Sequence, residues 1–269
     1  EPLLTFSGHY VVDELAVISK LVIYVFSFFS FAYAREYIKS RKIARSEYYL
    51  LGLLSVLGMS IMASAYTFLT MYLGLELLSL ALYAMVAMYR DSNLAVEAAM
   101  KYFVLGSLAS GILLYGISIL YGLTGSIQLD SVAQVLQTRN DLVPVLALIF
   151  VLGGIVFKFG AVPFHMWVPD VYQGAATPTT LFIASAPKVA AFAITVRLLV
   201  QAMPSLAVDW MQILIVISVL SMFLGNALAI VQTNIKRMFA YSSIAHIGYT
   251  LLGVIAGPNS TSGYSAAMF

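Results

Sequence analysis

The chain has 269 residues, of which 61% are apolar and 10% charged, and its mean hydropathy is +0.94. A soluble globular domain has about half apolar and about a quarter charged residues, so this composition excludes one. The net charge of +2 gives no reason to expect a nucleic-acid partner. Because the chain has no cysteine, it can form no disulfide, thiolate metal site or iron–sulfur cluster. We therefore expect no redox centre, metal or cofactor in this chain.

Eight apolar segments follow one another along the chain, and each has about the length of a membrane-spanning helix. They lie near residues 15–34, 48–65, 67–88, 95–121, 142–161, 179–203, 209–231 and 235–256. A membrane barrel would instead show alternating segments of about ten residues. A short helix is expected around Ser131–Leu136, in the polar loop between the fourth and fifth segments. The sequence therefore predicts an all-α, polytopic helical membrane protein, with a single transmembrane domain over residues 1–269.

Basic residues outside these segments predict the orientation in the membrane. If the spans alternate, two of them fall on one side, Arg139 and Arg197. The others fall on the opposite side: Arg35, Lys39, Arg41, Lys42, Arg45, Arg90, Lys236 and Arg237. Cytoplasmic loops are enriched in Lys and Arg, so the second side is predicted to be cytoplasmic.

Glu76 and four lysines, Lys20, Lys101, Lys158 and Lys188, lie inside the apolar segments and are the charges that need an explanation. Each costs about 2.5–3.5 kcal/mol at membrane depth, so each needs a reason to be there. Lys20 lies close enough to the end of its span to reach the headgroups, and Lys101 has the same option. The other three are far from any end and are expected to meet in space or reach water. Such a row of titratable groups is typical of a proton relay, although a buried pair can also serve only to lock helices together.

The fifth segment carries a second signal, because glycines and prolines interrupt it between Gly153 and Pro169. An unbroken helix from residue 142 to 175 would be about 51 Å long, against a hydrocarbon core of about 30 Å. We therefore expect the helix to break around Gly160–Pro163, as ion-binding helices of transporters do. His165 would then extend the row from Lys158, or be an interior histidine with ordinary partners. Trp167 is expected to anchor the chain at the membrane interface.

Four stretches carry a resemblance to a known family. The longest is Phe157-Lys-Phe-Gly-Ala-Val-Pro-Phe-His-Met-Trp-Val-Pro-Asp-Val-Tyr-Gln-Gly174. The others are Gly74-Leu-Glu-Leu-Leu-Ser79, Glu97-Ala-Ala-Met-Lys-Tyr102 and Gln232-Thr-Asn-Ile-Lys-Arg-Met-Phe-Ala-Tyr-Ser-Ser243. Together they resemble the antiporter-like membrane subunits of the proton-pumping NADH–quinone oxidoreductase, respiratory complex I, and the subunit N family in particular.

The resemblance implies a fold of fourteen helices with two inverted five-helix repeats and a broken transmembrane helix. This chain, which begins with Glu rather than Met, is expected to be a piece covering about helices three to ten. The first repeat would occupy residues 45–203, and the second would begin at 204–269. The charged residue of the family's twelfth helix is absent, so the exit route of the proton is not placed.

The resemblance also implies a role for each candidate site residue. Glu76 would be the fifth-helix glutamate coupled to a lysine, Lys158 the central lysine of the broken helix, and Lys188 the eighth-helix lysine leading toward one surface. Lys101 matches the sixth-helix lysine, and His165 the histidine between the half-helices. Two residues depart from the pattern. Pro187 stands where a small hydroxyl residue is usual, and Ala176 where proline is usual.

These observations predict a proton-translocating membrane-arm subunit of complex I, in which quinone is reduced elsewhere in the complex. Its expected partners are the other membrane-arm subunits, the lipid bilayer and protons, with no nucleic acid. The expected location is a bacterial inner membrane, with an organellar inner membrane as the less favoured alternative. A cation/proton antiporter subunit and a passive scaffold subunit are the competing interpretations.

Overall fold

The computed structural model describes residues 2–41, 43, 45–139, 141–260 and 262–268, without the side chains of Arg45 and Asn259. Lys42, one of the predicted cytoplasmic basic residues, therefore lies outside the described residues, as does the side chain of Arg45.

Helices dominate the described chain. A hairpin of β1 (Leu3–Thr5) and β2 (Tyr10–Val12) comes first. It is followed by α1 (Glu14–Ser40), α2 (Arg45–Ser64), α3 (Phe68–Ala87), α4 (Asn93–Thr124), α5 (Leu129–Gln137), α6 (Val143–Phe159), α7 (Trp167–Gly174), α8 (Thr177–Ala184), α9 (Ala186–Val196), α10 (Ala207–Ile230), α11 (Ile235–Ala256) and α12 (Gly263–Met268). A π-helical turn (Arg197–Ala202) and a 3₁₀ turn (Pro204–Leu206) join α9 to α10, and a second 3₁₀ turn (Gly257–Asn259) precedes α12.

Polar side chains fix where several of these helices begin. Asp13 accepts a hydrogen bond from the Ala16 amide at the start of α1, and Thr67 accepts one from Thr70 at the start of α3. Asn234 accepts from the amides of Lys236 and Arg237 at the start of α11. Each cap satisfies amides that have no partner within the helix, which matters most where little water is present.

Seven of the eight predicted spans are confirmed in position, since the described residues contain seven helices long and apolar enough to cross a membrane. The fifth predicted segment corresponds to α6, which with 17 residues is a shorter apolar helix. The short helix expected in the polar loop is also present, as α5. The sixth segment differs from a simple helix, because it is divided at Ser185 and ends in the π-helical turn.

The chain forms two structural units and passes between them within α4, α7 and α9. The first unit contains residues Glu1–Ser107 and Asp170–Ile194. In it the hairpin pairs Leu3 with Val12, and Tyr10 also bridges to Ala65 at the end of α2. Helix α1 packs on α8, where the rings of Phe31 and Phe182 lie 5.3 Å apart.

Helices α2 and α3 of the first unit make their closest approach at two glycines. A Cβ atom on Gly58 would lie 2.6 Å from the amide nitrogen of Leu78 and 2.7 Å from the carbonyl oxygen of Gly74. A Cβ atom on Gly74 would lie 2.9 Å from the carbonyl oxygen of Gly58. Small residues of this kind let helix backbones touch in membrane proteins, where packing rather than water exclusion drives association.

The second unit contains Leu108–Pro169 and Thr195–Phe269. Its helices α10 and α11 also approach through glycines, since a Cβ atom on Gly225 would lie 2.6 Å from the Ala245 amide nitrogen. The buried Ser218 hydroxyl donates a 2.6 Å hydrogen bond to the Gly248 carbonyl across the same pair of helices. The amphipathic α5 buries Leu129, Val132, Ala133 and Leu136.

Candidate functional site

The helix carrying Lys158 ends where the sequence predicts. Helix α6 stops at Phe159, and Gly160 adopts the left-handed conformation with φ of 73° that glycine tolerates best. The Gly160 amide donates to the Phe157 carbonyl at 2.9 Å, and the Ala161 amide donates to the Val156 carbonyl at 3.0 Å. No regular helix is present from residue 160 to 166, so the predicted interruption is confirmed.

Two buried hydrogen bonds hold this interruption in place. The Val162 amide donates to the Ser221 hydroxyl of α10 at 3.0 Å. The Trp167 indole nitrogen donates to the Phe157 carbonyl at 3.1 Å. Trp167 is only 2% exposed, so the expectation that it anchors the chain at the membrane interface is wrong. Its N–H group instead serves a carbonyl at the end of α6, as a buried indole usually must.

Lys158 and His165 both belong to this interruption. Lys158 is half-buried in the last turn of α6, and His165 is half-buried within the irregular segment. The carbonyl groups at a helix C-terminus carry a partial negative charge, which stabilises a nearby cation by about 0.3–1 kcal/mol at exposed sites. The His165 Nδ1 atom is buried and finds no hydrogen-bond partner within the described residues.

Lys188 lies beside a second helix interruption, which the sequence did not predict. Helix α8 ends at Ala184, Ser185 leaves the helical conformation with φ of −111° and ψ of −91°, and α9 begins at Ala186. Pro187 has no N–H group to continue the helical ladder. The Lys188 amide donates instead to the Ser185 carbonyl at 3.0 Å, and the side chain of Lys188 is half-buried.

Glu76 is half-buried near the middle of α3, two residues after the close approach at Gly74. It has interactions with neighbouring groups, as do Lys158 and Lys188. Glu76 and Lys188 belong to the first unit, whereas Lys158 and His165 belong to the second. The predicted convergence of Glu76 and Lys158 therefore stays a prediction.

Lys101 is more exposed than Lys158 and Lys188, and it forms two ion pairs. Its ammonium nitrogen lies 2.8 Å from Glu97 Oε1 on the same helix and 2.8 Å from Asp170 Oδ2 on α7. The side chains of Lys101, Glu97 and Asp170 are 44%, 62% and 31% exposed. Sequence reasoning gave Asp170 no role, although it stands in the Pro-Asp-Val-Tyr-Gln-Gly stretch that carries the family resemblance.

Two further basic residues, Arg197 and Lys20, also lie within the protein. Arg197 was expected outside the spans, but it is fully buried within the sixth, where it donates to Gln201 Oε1 at 3.2 Å. Its position in residues 189–200, which are apolar apart from Thr195 and Arg197 itself, was the signal for burial. Lys20 is half-buried and donates a hydrogen bond to the Tyr10 hydroxyl, and its ammonium nitrogen lies 4.6 Å from the centre of the Tyr10 ring.

Comparison with known proteins gives a consistent result. The family model described as NADH:quinone oxidoreductase/Mrp antiporter, TM, matches residues 65–269. NADH-quinone oxidoreductase subunit N of Hydrogenovibrio crunogenus is 55% identical over 268 residues, which are 99% of this chain and 56% of that protein. The corresponding subunit of Coxiella burnetii is 54% identical, over 98% of this chain and 55% of its own length. The chain thus spans just over half the length of these relatives.

Solved structures show the same fold. A chain of respiratory complex I from Thermus thermophilus with bound aureothin matches with a TM-score of 0.81 and 37% identity, over 99% of this chain and 56% of its own length. A chain of the archaeal membrane-bound sulfane sulfur reductase matches with a TM-score of 0.86 and 27% identity, over 99% of this chain and 55% of its own. A chain of the Mrp complex from Dietzia sp. DQ12-45-1b matches in fold alone, with a TM-score of 0.81 and 22% identity over 96% of this chain and 48% of its own. The predicted antiporter-like membrane fold is confirmed, while the repeat boundaries stay a prediction.

Proposed function

This chain belongs to the NADH:quinone oxidoreductase/Mrp antiporter transmembrane family, and we propose that it forms part of a proton-translocating membrane-arm subunit of an NADH–quinone oxidoreductase. It is a multi-pass protein of a bacterial inner membrane. In the proposal, other membrane-arm subunits and lipid surround it, and quinone is reduced in another part of the complex. Protons cross through buried Glu, Lys and His side chains of this chain.

The observation that carries the proposal is that two lysines each lie beside a helix interruption. Lys158 is the last residue but one of α6, and Lys188 is the third residue of α9. Backbone groups freed at an interruption must be satisfied by protein or by water, and such places hold ions in transporters. A lysine next to ordered water can exchange its proton, whereas a lysine enclosed by apolar side chains cannot.

Glu76 supplies the acidic partner in this proposal. Removal of water disfavours the charged form of a lysine, and a nearby carboxylate favours it. At an effective dielectric constant of about 20, the attraction between two such charges is about 4 kcal/mol at 4 Å and about half of that at 8 Å. A small displacement between Glu76 and Lys158 would therefore be enough to release a proton toward His165 or Lys188.

Replacing Glu76 by glutamine tests the proposal, because the amide keeps the shape and removes the charge. In the assembled complex we expect Glu76→Gln to leave subunit content unchanged and to slow both quinone-linked NADH oxidation and proton pumping. Glu47→Gln is the matched control, since Glu47 is exposed in the first turn of α2. Normal pumping by the Glu76 variant would contradict the relay.

The same measurements separate the competing interpretations. A passive scaffold predicts that the charge-removing variants either assemble and pump normally or fail to assemble. A cation/proton antiporter predicts that transport by the purified complex depends on sodium or potassium. The relatives at 54–55% identity are NADH-quinone oxidoreductase subunits, whereas the Mrp chain is 22% identical, which favours quinone-coupled proton transfer.

A further inference from the structure

The hydroxyl group of Tyr83 is buried in the first unit, one turn before α3 ends. Tyr83 is 7% exposed, and within the described residues its hydroxyl has no partner at hydrogen-bond geometry. A buried polar group without a partner costs free energy, so its presence needs a reason. Packing does not supply that reason, because a phenylalanine ring would fill nearly the same space.

Glu76, Ser79 and Tyr83 form one stripe along α3. They are three and four residues apart, so they lie on the same face of the helix. Long side chains lean toward the N-terminus of a helix, so the Tyr83 ring extends back over the turn that carries Ser79. Ser79 and the carboxyl group of Glu76 both lie close enough to act on the Tyr83 hydroxyl electrostatically. The Ser79 hydroxyl already donates to the Leu75 carbonyl, so Tyr83 has the proton that is still available to Glu76.

Helix α4 fixes the position of the Tyr83 ring. The ring centres of Tyr83 and Tyr102 lie 4.7 Å apart and those of Tyr83 and Phe103 lie 5.7 Å apart, both edge to face. A Cβ atom on Gly106 would overlap the Tyr83 hydroxyl oxygen and lie 2.7 Å from Cζ of that ring. The backbone of α4 thus touches the tip of the ring at a residue that has no side chain. Because α4 holds the ring on two sides, the hydroxyl has little freedom to turn away from α3.

We infer that Tyr83 is a positioning residue for Glu76, to whose carboxylate its hydroxyl donates a hydrogen bond directly or through one water molecule. The inference rests on the proposed role of Glu76 in proton transfer. A donor at this place favours the ionised carboxylate, which is the form that attracts a lysine proton. The other titratable groups that act on Tyr83 are Tyr72 on α3 and Tyr102 on α4, and tyrosines are ordinarily neutral at pH 7.

The test compares Tyr83→Phe with Tyr48→Phe in the assembled complex. Each change removes one buried hydroxyl and keeps the ring, since Tyr48 is 1% exposed and its hydroxyl also has no partner at hydrogen-bond geometry within the described residues. The groups that act on Tyr48 are Tyr49 and Thr179, not Glu76. We expect Tyr83→Phe to lower proton pumping at least about five-fold at unchanged subunit content, because a hydrogen bond to a charged group is lost. Equal pumping by the two variants would overturn the inference.

A second measurement follows Glu76 itself. The infrared band of Glu76 is identified as the band that Glu76→Gln removes. Replacement of Tyr83 by ortho-fluorotyrosine keeps the ring and the hydroxyl and makes the hydroxyl a stronger donor. The band should therefore shift in opposite directions in the fluorotyrosine variant and in Tyr83→Phe. If Tyr83→Phe does not assemble, the fluorotyrosine variant decides alone, and an unshifted Glu76 band in it would reject the hydrogen bond.

The proposed function is assessed separately in the same preparations. Glu76→Gln and Lys158→Ala are measured in parallel, and normal pumping by both would refute the relay whatever the Tyr83 variants do. If both lose pumping while Tyr83→Phe pumps normally, the relay stands and the positioning role of Tyr83 is rejected.

Discussion

Replacing Gly58 by alanine tests the close approach of α2 to α3. The added Cβ atom would lie 2.6 Å from the Leu78 amide nitrogen, about 0.9 Å inside the shortest ordinary contact of about 3.5 Å. The atoms it meets are backbone atoms of Leu78 and Gly74, so no side chain can turn away to make room. The two helices must therefore separate by up to about 0.9 Å.

The change in the free energy of unfolding is the difference between two opposing effects. Overpacking of a close interface costs about 1–3 kcal/mol, whereas alanine stabilises a helix by about 0.5–1 kcal/mol relative to glycine. We therefore expect a net destabilisation of about 1 kcal/mol, and of at most about 2.5 kcal/mol. Because Gly74 is two residues from Glu76, the separation should also displace that carboxylate and lower proton pumping in the complex that does assemble.

The assay is the amount of assembled complex in the membrane, together with the temperature at which the purified complex loses the subunit. Gly111→Ala is the matched control, because Gly111 also lies within a helix and a Cβ atom there would meet nothing within 4 Å. We expect Gly58→Ala to lower both quantities and Gly111→Ala to change neither. Identical behaviour of the two variants would refute the reasoning.

Three further predictions concern the interruption after α6. Lys158→Arg and Lys158→Ala should both assemble and both lose most proton pumping, which is measured by dye quenching in membrane vesicles. Arginine keeps the charge but cannot release the proton, and alanine has no proton to release. Ser221→Ala should destabilise the subunit by about 1–3 kcal/mol, since the buried Val162 amide loses its acceptor, and thermal release of the subunit measures this. Trp167→Phe should lower pumping more than assembly, because the Phe157 carbonyl loses its indole donor while the aromatic packing is kept; the ratio of pumping to subunit content measures this.

Each of these predictions has an outcome that contradicts it. Wild-type pumping in Lys158→Arg alone would show that a fixed charge suffices and that Lys158 is structural. Ser205→Ala, at an exposed position, is the control for Ser221, and equal stability of the two variants would argue against the hydrogen bond to Val162. Unchanged pumping by Trp167→Phe would show that the indole bond does not position the end of α6.

The spans and the first interruption could be predicted because their causes are local. A run of about twenty apolar residues has few alternatives to a membrane helix, and Gly160 with Pro163 must end the helix that carries Lys158. The second interruption was missed because Pro187 near a helix start is usually harmless. Here Ser185 leaves the helical conformation just before it, which the sequence pattern does not reveal.

The features that depend on long-range pairing were not accessible from one sequence. Asp170 contacts Lys101 only because α7 packs on α4. The residues next to each of them in sequence give no indication of this contact. Arg197 was placed outside the membrane because arginine is costly within it, but its partner Gln201 lies only four residues later in the same π-helical segment. Trp167 was misread because tryptophan is common at membrane interfaces, whereas here its N–H group has a buried acceptor.

The shortness of α6 has an electrical consequence. Its 17 residues span about 26 Å as a helix, less than a hydrocarbon core of about 30 Å, and the chain continues from it as irregular backbone. Wherever water enters that irregular segment, the membrane voltage falls across a thinner insulating layer. Moving one elementary charge through the full voltage involves about 2.3 kcal/mol per 100 mV. Under the proposed function, a proton arriving at Lys158 by that route would already have crossed part of the field, and the membrane voltage would act directly on the protonation of this lysine.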